Sequence, residues 1–548
     1  MINFILSFLI VAFGQPAFIP ICGLLAAVVG YALFWKAALN LSSKAKRFWM
    51  ATLWCAGVQA IQLSWMSSTE YQGIYILFVH AGLSLCLGLQ FAFFTLFIKR
   101  DSSLQGMLAL SGLWTLVEWS RFLILCGFSF NPVGLALSSY LWPLQMASIW
   151  GVLGLSFWVM FANLLVLRAL EEKKWRPFFN AGLVALFPYF WGVCQLHLQN
   201  TKSDPTITVL LLQTGLLPSQ KITLSGKLKD YISPYEQWKK ILQLVKEQGG
   251  ADLIVLPEAA LPFSSDVTLF SFAKVEKIFK ELFGEEIASF FPPKEAPYFN
   301  EKKSHVSHCF WVQTLSNYLN AELIIGLDYN DRNKYLNYNS AFHFCPKKEV
   351  AGRYDKRILI PLAEYLPFKW LYPLVKWYGI TDFFTQGKEK SLFNARLPLS
   401  VSICYEETFP HLIREGRLQG AELFVNLTND GWYPRSKLPK QHFDHAKLRA
   451  VENGVTLVRA CNTGITGAID SRGRTLAILP EFDALGRPYA GAVKIQLNSC
   501  NYTTLYTIWG NWGIICTSLF FILLFLISKI SRLNREKIIK IAQNPHLS

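Results

Sequence analysis

Charge is what this chain has least of. Of 548 residues only 16% are Asp, Glu, Lys or Arg, against about 25% in average soluble chains. Acids are the scarcer sign, 37 against 53 Lys and Arg, leaving a formal net charge of +16. With 52% hydrophobic and 15% aromatic residues, this shortage excludes an ordinary soluble enzyme and a disordered tail alike. Internal repeats, low-complexity tracts, zinc-type cysteine pairs and Gly-rich phosphate loops are also missing. Eleven cysteines are too sparse for a small disulfide scaffold. What is left is a chain dissolved partly in lipid, with a basic surplus that needs a location.

Apolar runs at 2–13, 17–35, 48–66, 74–98, 104–126, 144–167, 179–198 and 505–528 approach the roughly 20 residues that cross a bilayer as a helix. The first is short, but it lacks the basic flank of a signal peptide and is followed by further runs, so it reads as a short or tilted span. Basic residues set the orientation. The connections after the second, fourth and sixth runs hold Lys36, Lys44, Lys46 and Arg47, then Lys99 and Arg100, then Arg168, Lys173, Lys174 and Arg176; the tail adds Lys529, Arg532, Arg535, Lys537 and Lys540. The alternate connections, 67–73 and 127–143, have no Lys or Arg. Positive loops stay in the cytoplasm. The expectation is therefore a multi-pass α-helical membrane protein of about eight transmembrane helices: a seven-helix bundle over 1–200, an exported domain over 201–504 on the periplasmic side, a last span at 505–528 and a basic cytoplasmic tail at 529–548. The charge left to the exported part is diffuse, which removes support for a nucleic-acid partner.

Within 201–504, short apolar or β-branched runs at 206–213, 252–257, 321–328, 398–403, 421–427, 455–461 and 489–497 read as strands, with amphipathic helices at 236–248 and 436–453 between them. That alternation predicts an α/β domain. The stretches 263–308 and 365–395 break the rhythm, the second being too aromatic for a solvated loop. Three chemically able residues fall at strand ends: Glu258 after LIVLP, Lys356 in RYDKRILIP and Cys404 after SVSI. Together they can perform acyl transfer, with Cys404 as thiolate nucleophile, Glu258 moving protons, and Lys356 lowering the thiol pKa and holding an oxyanion.

Those residues carry a resemblance. Glu258 in LPEAALP, Lys356 in GRYDKRILIPLAEYLP and Cys404 in SICYEE are similar to the Glu-Lys-Cys triad of the nitrilase superfamily. With WTLVEWSR, YNSA, NDGWY, QHFDHAKLRAVENG and RACNTGITG, and the order of seven helices, domain and one helix, the chain resembles the apolipoprotein N-acyltransferases along nearly its whole length. The resemblance implies an αββα sandwich for the exported domain and Glu364, Tyr405 and Glu406 as residues supporting the triad. It implies a bacterial inner-membrane enzyme that takes an acyl chain from a phospholipid through a Cys thioester and delivers it to a diacylglyceryl apolipoprotein, with no cofactor and no metal. Trp432 in NDGWY, and Trp370, Trp377 and Phe383 in the aromatic arm, are candidate lipid or substrate contacts, the arm forming a lid. Pro361-Leu362-Ala363-Glu364 stands where the family usually has Pro-Phe-Gly-Glu, and the usual Trp after the first strand has no counterpart.

Glu118 and Arg121 share a helical face in the fifth run and need pairing in lipid; a headgroup contact and a structural ion pair are equally open. His442 and His445 share a face without a third ligand at metal spacing, so they read as structural. His80 reads as a helix-packing polar group. A membrane-tethered amidase would share the triad but need no lipid entry, and an inactive transporter or scaffold would not need Cys404.

Overall fold

A computed structural model of the chain describes residues 1–124, 127–198, 206–224, 226–300, 302, 304–348, 351–368, 370, 372–377, 383–498 and 501–543. Every apolar run becomes a helix: Ile2–Ala12, Pro20–Ala38, Lys44–Gln62, Tyr75–Thr95, Leu104–Ser120, Ala147–Glu172, Trp175–Leu198 and Asn511–Gln543. Among the described residues five are long and apolar enough to cross a membrane, Pro20–Ala38, Tyr75–Thr95, Ala147–Glu172, Trp175–His197 and Asn511–Glu536. The expected eight are thus not all met. Ile2–Ala12 spans only about 16 Å at the α-helical rise, Lys44–Gln62 opens on three basic residues, and Leu104–Ser120 has 17 residues.

The bundle meets much of its backbone hydrogen bonding internally, as lipid requires. Pro20–Ala38 passes through a π-helical turn at Ala26–Gly30, whose altered pairing is met by buried Asn163. Its Oδ1 accepts from Tyr31 N and Ala32 N at 2.9 and 3.1 Å, and its Nδ2 donates to the Ala26 and Ala27 carbonyls. The Phe34 and Trp54 rings stack beside it at 4.4 Å. The last run differs from expectation: Leu505–Trp509 is a separate helix, ended by Gly510 at φ 58° before Asn511–Gln543 begins. Arg414 of the sheet-containing domain supplies the reason, donating to the carbonyls of Tyr506, Thr507 and Ile508 at 2.8–3.1 Å and capping the short helix.

The domain after the first seven helices is built on two six-stranded sheets. In the first, Thr206–Gln213, Leu253–Val255 and Glu322–Asp331 run parallel, flanked by antiparallel Gly491–Asn498 on one side and Leu336–Phe344 and Gly352–Asp355 on the other. In the second, Leu399–Ile403, Leu423–Thr428 and Thr456–Cys461 are parallel, flanked by Leu392–Phe393, Gly467–Ile469 and Thr475–Ile478. The parallel strands are apolar on both faces because both are covered. Val209 and Leu211 join Val401, Val425 and Val458 in a core between the sheets. Leu210 and Leu212 instead face Trp238, Ile241 and Trp311 of the helices Pro234–Gln248 and His308–Leu319. Across the second sheet, Phe424 and Leu457 meet Phe443 and Ala446 of the helix Leu438–Asn453. The order helix, sheet, sheet, helix is the αββα arrangement. The stretch 263–308 folds into the helix Phe272–Phe283 and a small sheet of Phe270–Ser271, Phe299–Asn300 and His305–Val306; Phe279 and Phe270 lock it onto Trp311.

The carboxyl ends of the parallel strands open together, where ligands bind in sheets of this kind. The loop carrying Glu258 lies flat on Gly326 of the next strand: Gly326 N donates to Pro257 O, and Ala260 N donates to Gly326 O. A Cβ at Gly326 would sit 2.5 Å from Glu258 Cα. Gly326→Ala is therefore expected to destabilise the protein by about 1–3 kcal/mol and to displace Glu258; thermal unfolding in detergent, together with acyl-transfer assay, checks both effects.

Candidate active site

Each residue of the expected triad stands where a strand stops. Glu258 follows Leu253–Val255, Lys356 follows Gly352–Asp355, and Cys404 follows Leu399–Ile403 of the opposite sheet. Cys404 adopts φ 53°, a costly conformation for a side chain with a Cβ, at the start of the 3-10 turn Cys404–Thr408. The strain is held by Glu406. Its Oε2 accepts from Ile403 N at 2.8 Å, its Oε1 accepts from Arg357 N and Ile358 N at 2.6 and 3.1 Å, and Tyr354 OH donates to it. One buried carboxylate thereby fixes the Cys404 turn and the Lys356 loop against each other.

Lys356, 1% exposed, donates from Nζ to Glu364 Oε1 at 2.7 Å and to Glu258 Oε1 at 3.3 Å. Burial pulls its ammonium down, but Glu364, Glu258 and Cys404 outweigh this and hold it well above its ordinary range, so it stays charged. Asn339, from the YNSA segment, bridges both acids, its Nδ2 donating to Glu258 Oε1 at 2.8 Å and Glu364 Oε1 at 3.4 Å. Glu364 is itself anchored by Ile360 N at 2.8 Å, in a turn where Leu362 takes φ 66°.

Cys404 keeps partial solvent access, and its thiol departs from the simple expectation. Burial pushes it well above its ordinary range, Glu258 adds to the rise, and Lys356 pulls the other way without prevailing. Lys356 thus acts in the expected direction, but the thiol remains protonated at neutral pH because burial, reinforced by Glu258, outweighs the one ammonium. Deprotonation needs a base in place, and Glu258 is the carboxylate that weighs most on the thiol.

Sequence reasoning missed the buried polar layer beneath Cys404. His442 Nε2 meets the Cys404 carbonyl at 3.0 Å and His442 Nδ1 meets Asp430 at 3.0 Å; Arg459 donates to Glu407 and Asp430 at 3.0 and 3.3 Å. Asn426 Nδ2 also approaches the Cys404 carbonyl. Lys221 and Asp328 were missed as well. Lys221 is lowered by burial to about 8, and Asp328 is raised by burial to about 7, both within the field of Glu258. Lys221 ends the short helix Pro218–Lys221 and Asp328 lies in the strand Glu322–Asp331; neither gives a local signal, since each residue gains its meaning from a partner far along the chain.

The remaining candidates divide. Tyr405 donates to the Gly127 carbonyl at 3.0 Å and stacks on Phe130 at 5.6 Å, tying the Cys404 turn to the bundle. Trp432 packs edge-on against Tyr71 at 6.2 Å. Glu118 and Arg121 resolve as an internal ion pair, 4.0 Å apart and 2% and 8% exposed. Glu118 Oε1 also accepts from Trp114 Nε1 and Val133 N, and Arg121 donates to Gln90, so both charges are paired within the bundle. Trp370 is exposed and stacks with Phe368 at 6.0 Å, and Phe383 is half-buried. Trp377 ends the helix Tyr372–Trp377, its side chain lying outside the described residues. His80 bonds the Ala60 carbonyl and His445 the Phe130 carbonyl, as packing groups. The described cysteines are all free; Cys126 and Cys500 lie outside the described residues.

A sandwich that gathers Glu, Lys and Cys at its strand ends defines the carbon-nitrogen hydrolase class, and the model of that family, "Carbon-nitrogen hydrolase", matches residues 230–497. Residues 12–165 match "Apolipoprotein N-acyltransferase N-terminal domain". The apolipoprotein N-acyltransferase of Chlamydia caviae is 32% identical over 94% of this chain and 95% of its own length. The Chlamydia pneumoniae enzyme is 32% identical over 93% and 94%, and that of Methylococcus capsulatus 28% over 90% of each. The chain belongs to the apolipoprotein N-acyltransferase family and is an acyltransferase.

The raised thiol sets a pH test. A thiolate that appears only above the ordinary thiol range makes Cys404 alkylation slow near pH 7 and still climbing past about pH 9. Removing a negative neighbour with Glu258→Gln is expected to move that curve to lower pH while acyl transfer is lost. Peptide-level mass spectrometry of iodoacetamide labelling measures it, and a wild-type rate that levels off below about pH 8 contradicts the electrostatic picture.

Proposed function

We propose that the chain moves an acyl group from a membrane phospholipid, through a thioester on Cys404, to the N-terminal amine of an S-diacylglyceryl-cysteine apolipoprotein. The observation that carries this reading is the Glu258–Lys356–Glu364 ion cluster, converging on the Cys404 turn at the strand ends. Glu258 takes the thiol proton as Sγ attacks the ester carbonyl carbon, and the Lys356 ammonium faces the oxyanion that forms. As the tetrahedral intermediate collapses, the C–O bond breaks and the protonated Glu258 gives its proton to the departing lysophospholipid oxygen. The acceptor amine then attacks the thioester, Glu258 accepts its proton, and as the C–S bond breaks Glu258 returns that proton to Sγ, freeing the thiol. Asn339 and Glu364 hold Lys356 and Glu258 in register; Glu406 and Tyr405 hold the Cys404 turn.

Both reactants carry chains that leave a bilayer at a cost of about 0.8 kcal/mol per CH2, so the site has to work against the membrane. Support comes from Tyr405, which joins the nucleophile's turn to the bundle loop at Gly127. The basic connections and tail favour cytoplasmic termini and a periplasmic domain over 201–504, with the bundle at 1–200 and the last span and tail beyond. The exposed pair Phe368 and Trp370 suits the aromatic arm to a lid that keeps water from the thioester. A membrane-tethered amidase would share the cluster but would accept soluble amides.

Two measurements test this. Incubating the membrane-embedded protein with phospholipid is expected to yield an acyl adduct on Cys404 by mass spectrometry, absent in Cys404→Ser and discharged by a diacylglyceryl-cysteine peptide; a folded protein that forms no adduct overturns the reading. Replacing Trp370, Trp377 and Phe383 with Ser is expected to raise hydrolysis of the adduct relative to transfer, and unchanged partition removes the lid.

A further inference from the structure

The end of the sandwich opposite Cys404 gathers a second set of reactive side chains. Glu322 begins the strand Glu322–Asp331, and His343 lies near the end of its antiparallel neighbour Leu336–Phe344. Ile324 pairs with His343 and Leu323 with Phe344, so the next pair in register sets Cys345 across from Glu322. Alternation along a strand then places all three side chains on one face, the face that Ile324 and Ala341 turn toward the second sheet. Phe393 of that sheet lies against the His343 ring at 5.2 Å.

His343 Nε2 is 3.1 Å from Glu322 Oε2 and 3.5 Å from Cys345 Sγ, and the three ligand atoms lie within 4.8 Å of one another. Glu322 and His343 are 8% and 5% exposed, while Cys345 is half-buried. One imidazole nitrogen cannot serve both neighbours well. As a donor it satisfies the carboxylate and offers the thiol nothing to donate to. As an acceptor from the thiol it turns its lone pair toward a carboxylate oxygen. An imidazolium still has a single N–H at that position. The Lys348 side chain also bears on the Cys345 thiol, but it does not reach the other two, whereas a cation at the point of convergence satisfies all three at once. Glu322 Oε1 is already engaged by Arg396 N at 2.9 Å, which holds Oε2 inward in the way that outer partners orient metal ligands.

We propose that Glu322, His343 and Cys345 bind one Zn2+ through Oε2, Nε2 and Sγ, with water as fourth ligand. Binding breaks the S–H bond heterolytically and releases the proton to solvent, with no change of oxidation state. Thiolate and carboxylate neutralise the dication, which suits a site sunk between two sheets, and the nitrogen, sulfur and oxygen donors suit zinc. The site stands apart from the acyl chemistry and braces the rim of the sandwich. It has no sequence signature of the usual kind, because the ligands come together through strand register rather than through a spaced motif.

The test uses the full-length protein in detergent, with Cys404→Ala to remove the reactive thiol. After chelator treatment, equilibrium dialysis against Zn2+ with elemental analysis is expected to find one equivalent, lost in Glu322→Gln and in Cys345→Ser. Affinity should fall by at least the roughly 10- to 100-fold typical of losing an outer partner. Cys345→His, which keeps a ligand at that place, should restore binding and show that the loss is not misfolding. Zn2+ should also protect Cys345, but not Cys309 or Cys461, from maleimide. Equal zinc uptake by the Cys345→Ser variant, or Cys345 labelling that zinc leaves unchanged, overturns the site.

Discussion

The structure turns on one buried ammonium shared by two carboxylates. Lys356, Glu258 and Glu364 together carry a net negative charge in a space from which water is nearly absent. Charges of this kind survive burial only when each is paired and hydrogen-bonded. Asn339 supplies part of that need and the Ile360 amide another. Burial and the field of Glu258 then keep the Cys404 thiol protonated until a base takes the proton. A nucleophile held neutral in the resting site is protected, since a standing thiolate invites oxidation.

The cluster can hold this geometry only if strands from both sheets keep their relative height. Glu406 enforces this by bonding the backbone on each side of the gap, at Ile403 and at Arg357 and Ile358. Below it, Arg459 clamps Glu407 and Asp430 while Asp430 orients His442 against the Cys404 carbonyl. The left-handed turn at Cys404 is thus overdetermined from two directions, as a strained backbone at a reactive residue has to be.

How much of this the sequence discloses depends on the range of the signal. Parallel strands such as Thr206–Gln213 and Leu399–Ile403 are unbroken apolar runs, and the periodic helices Pro234–Gln248 and Leu438–Asn453 stand out equally. Of the antiparallel flanks, Gly491–Asn498 shows as the run 489–497, but Leu336–Phe344 reads as LNYNSAFHF, mixed and polar, because Asn339 turns to Glu258 and Ser340, on the opposite face, to Asp355. Strand ends reveal Glu258 and Cys404 because a reactive residue directly after an apolar run is a local event. Lys221, Asp328, Arg459 and the Glu322–His343–Cys345 set have only tertiary meaning. The bundle shows the same division, for hydropathy locates Pro20–Ala38 but not the π-turn that Asn163 relieves from another helix.

The division also explains how bundle and domain act as one body. The helix Ala147–Glu172 is interrupted at Gly151, where φ is 66° and ψ −169°, and a break in a membrane helix leaves amides unpaired. Glu452 of the sandwich domain accepts from Val152 N at 2.8 Å while Arg449 holds the same oxygen. A Cβ at Gly151 would strike the Tyr506 ring at 2.6 Å. The sandwich domain therefore completes the hydrogen bonding of a bundle helix, just as Arg414 completes the helix Leu505–Trp509. Gln441 reaches the Gln62 carbonyl from the same face. A domain attached only by flexible linkers could not do this, because each bond demands a fixed depth. The constraint that keeps the Cys404 turn level with the bundle is thus written into the backbone of the bundle itself.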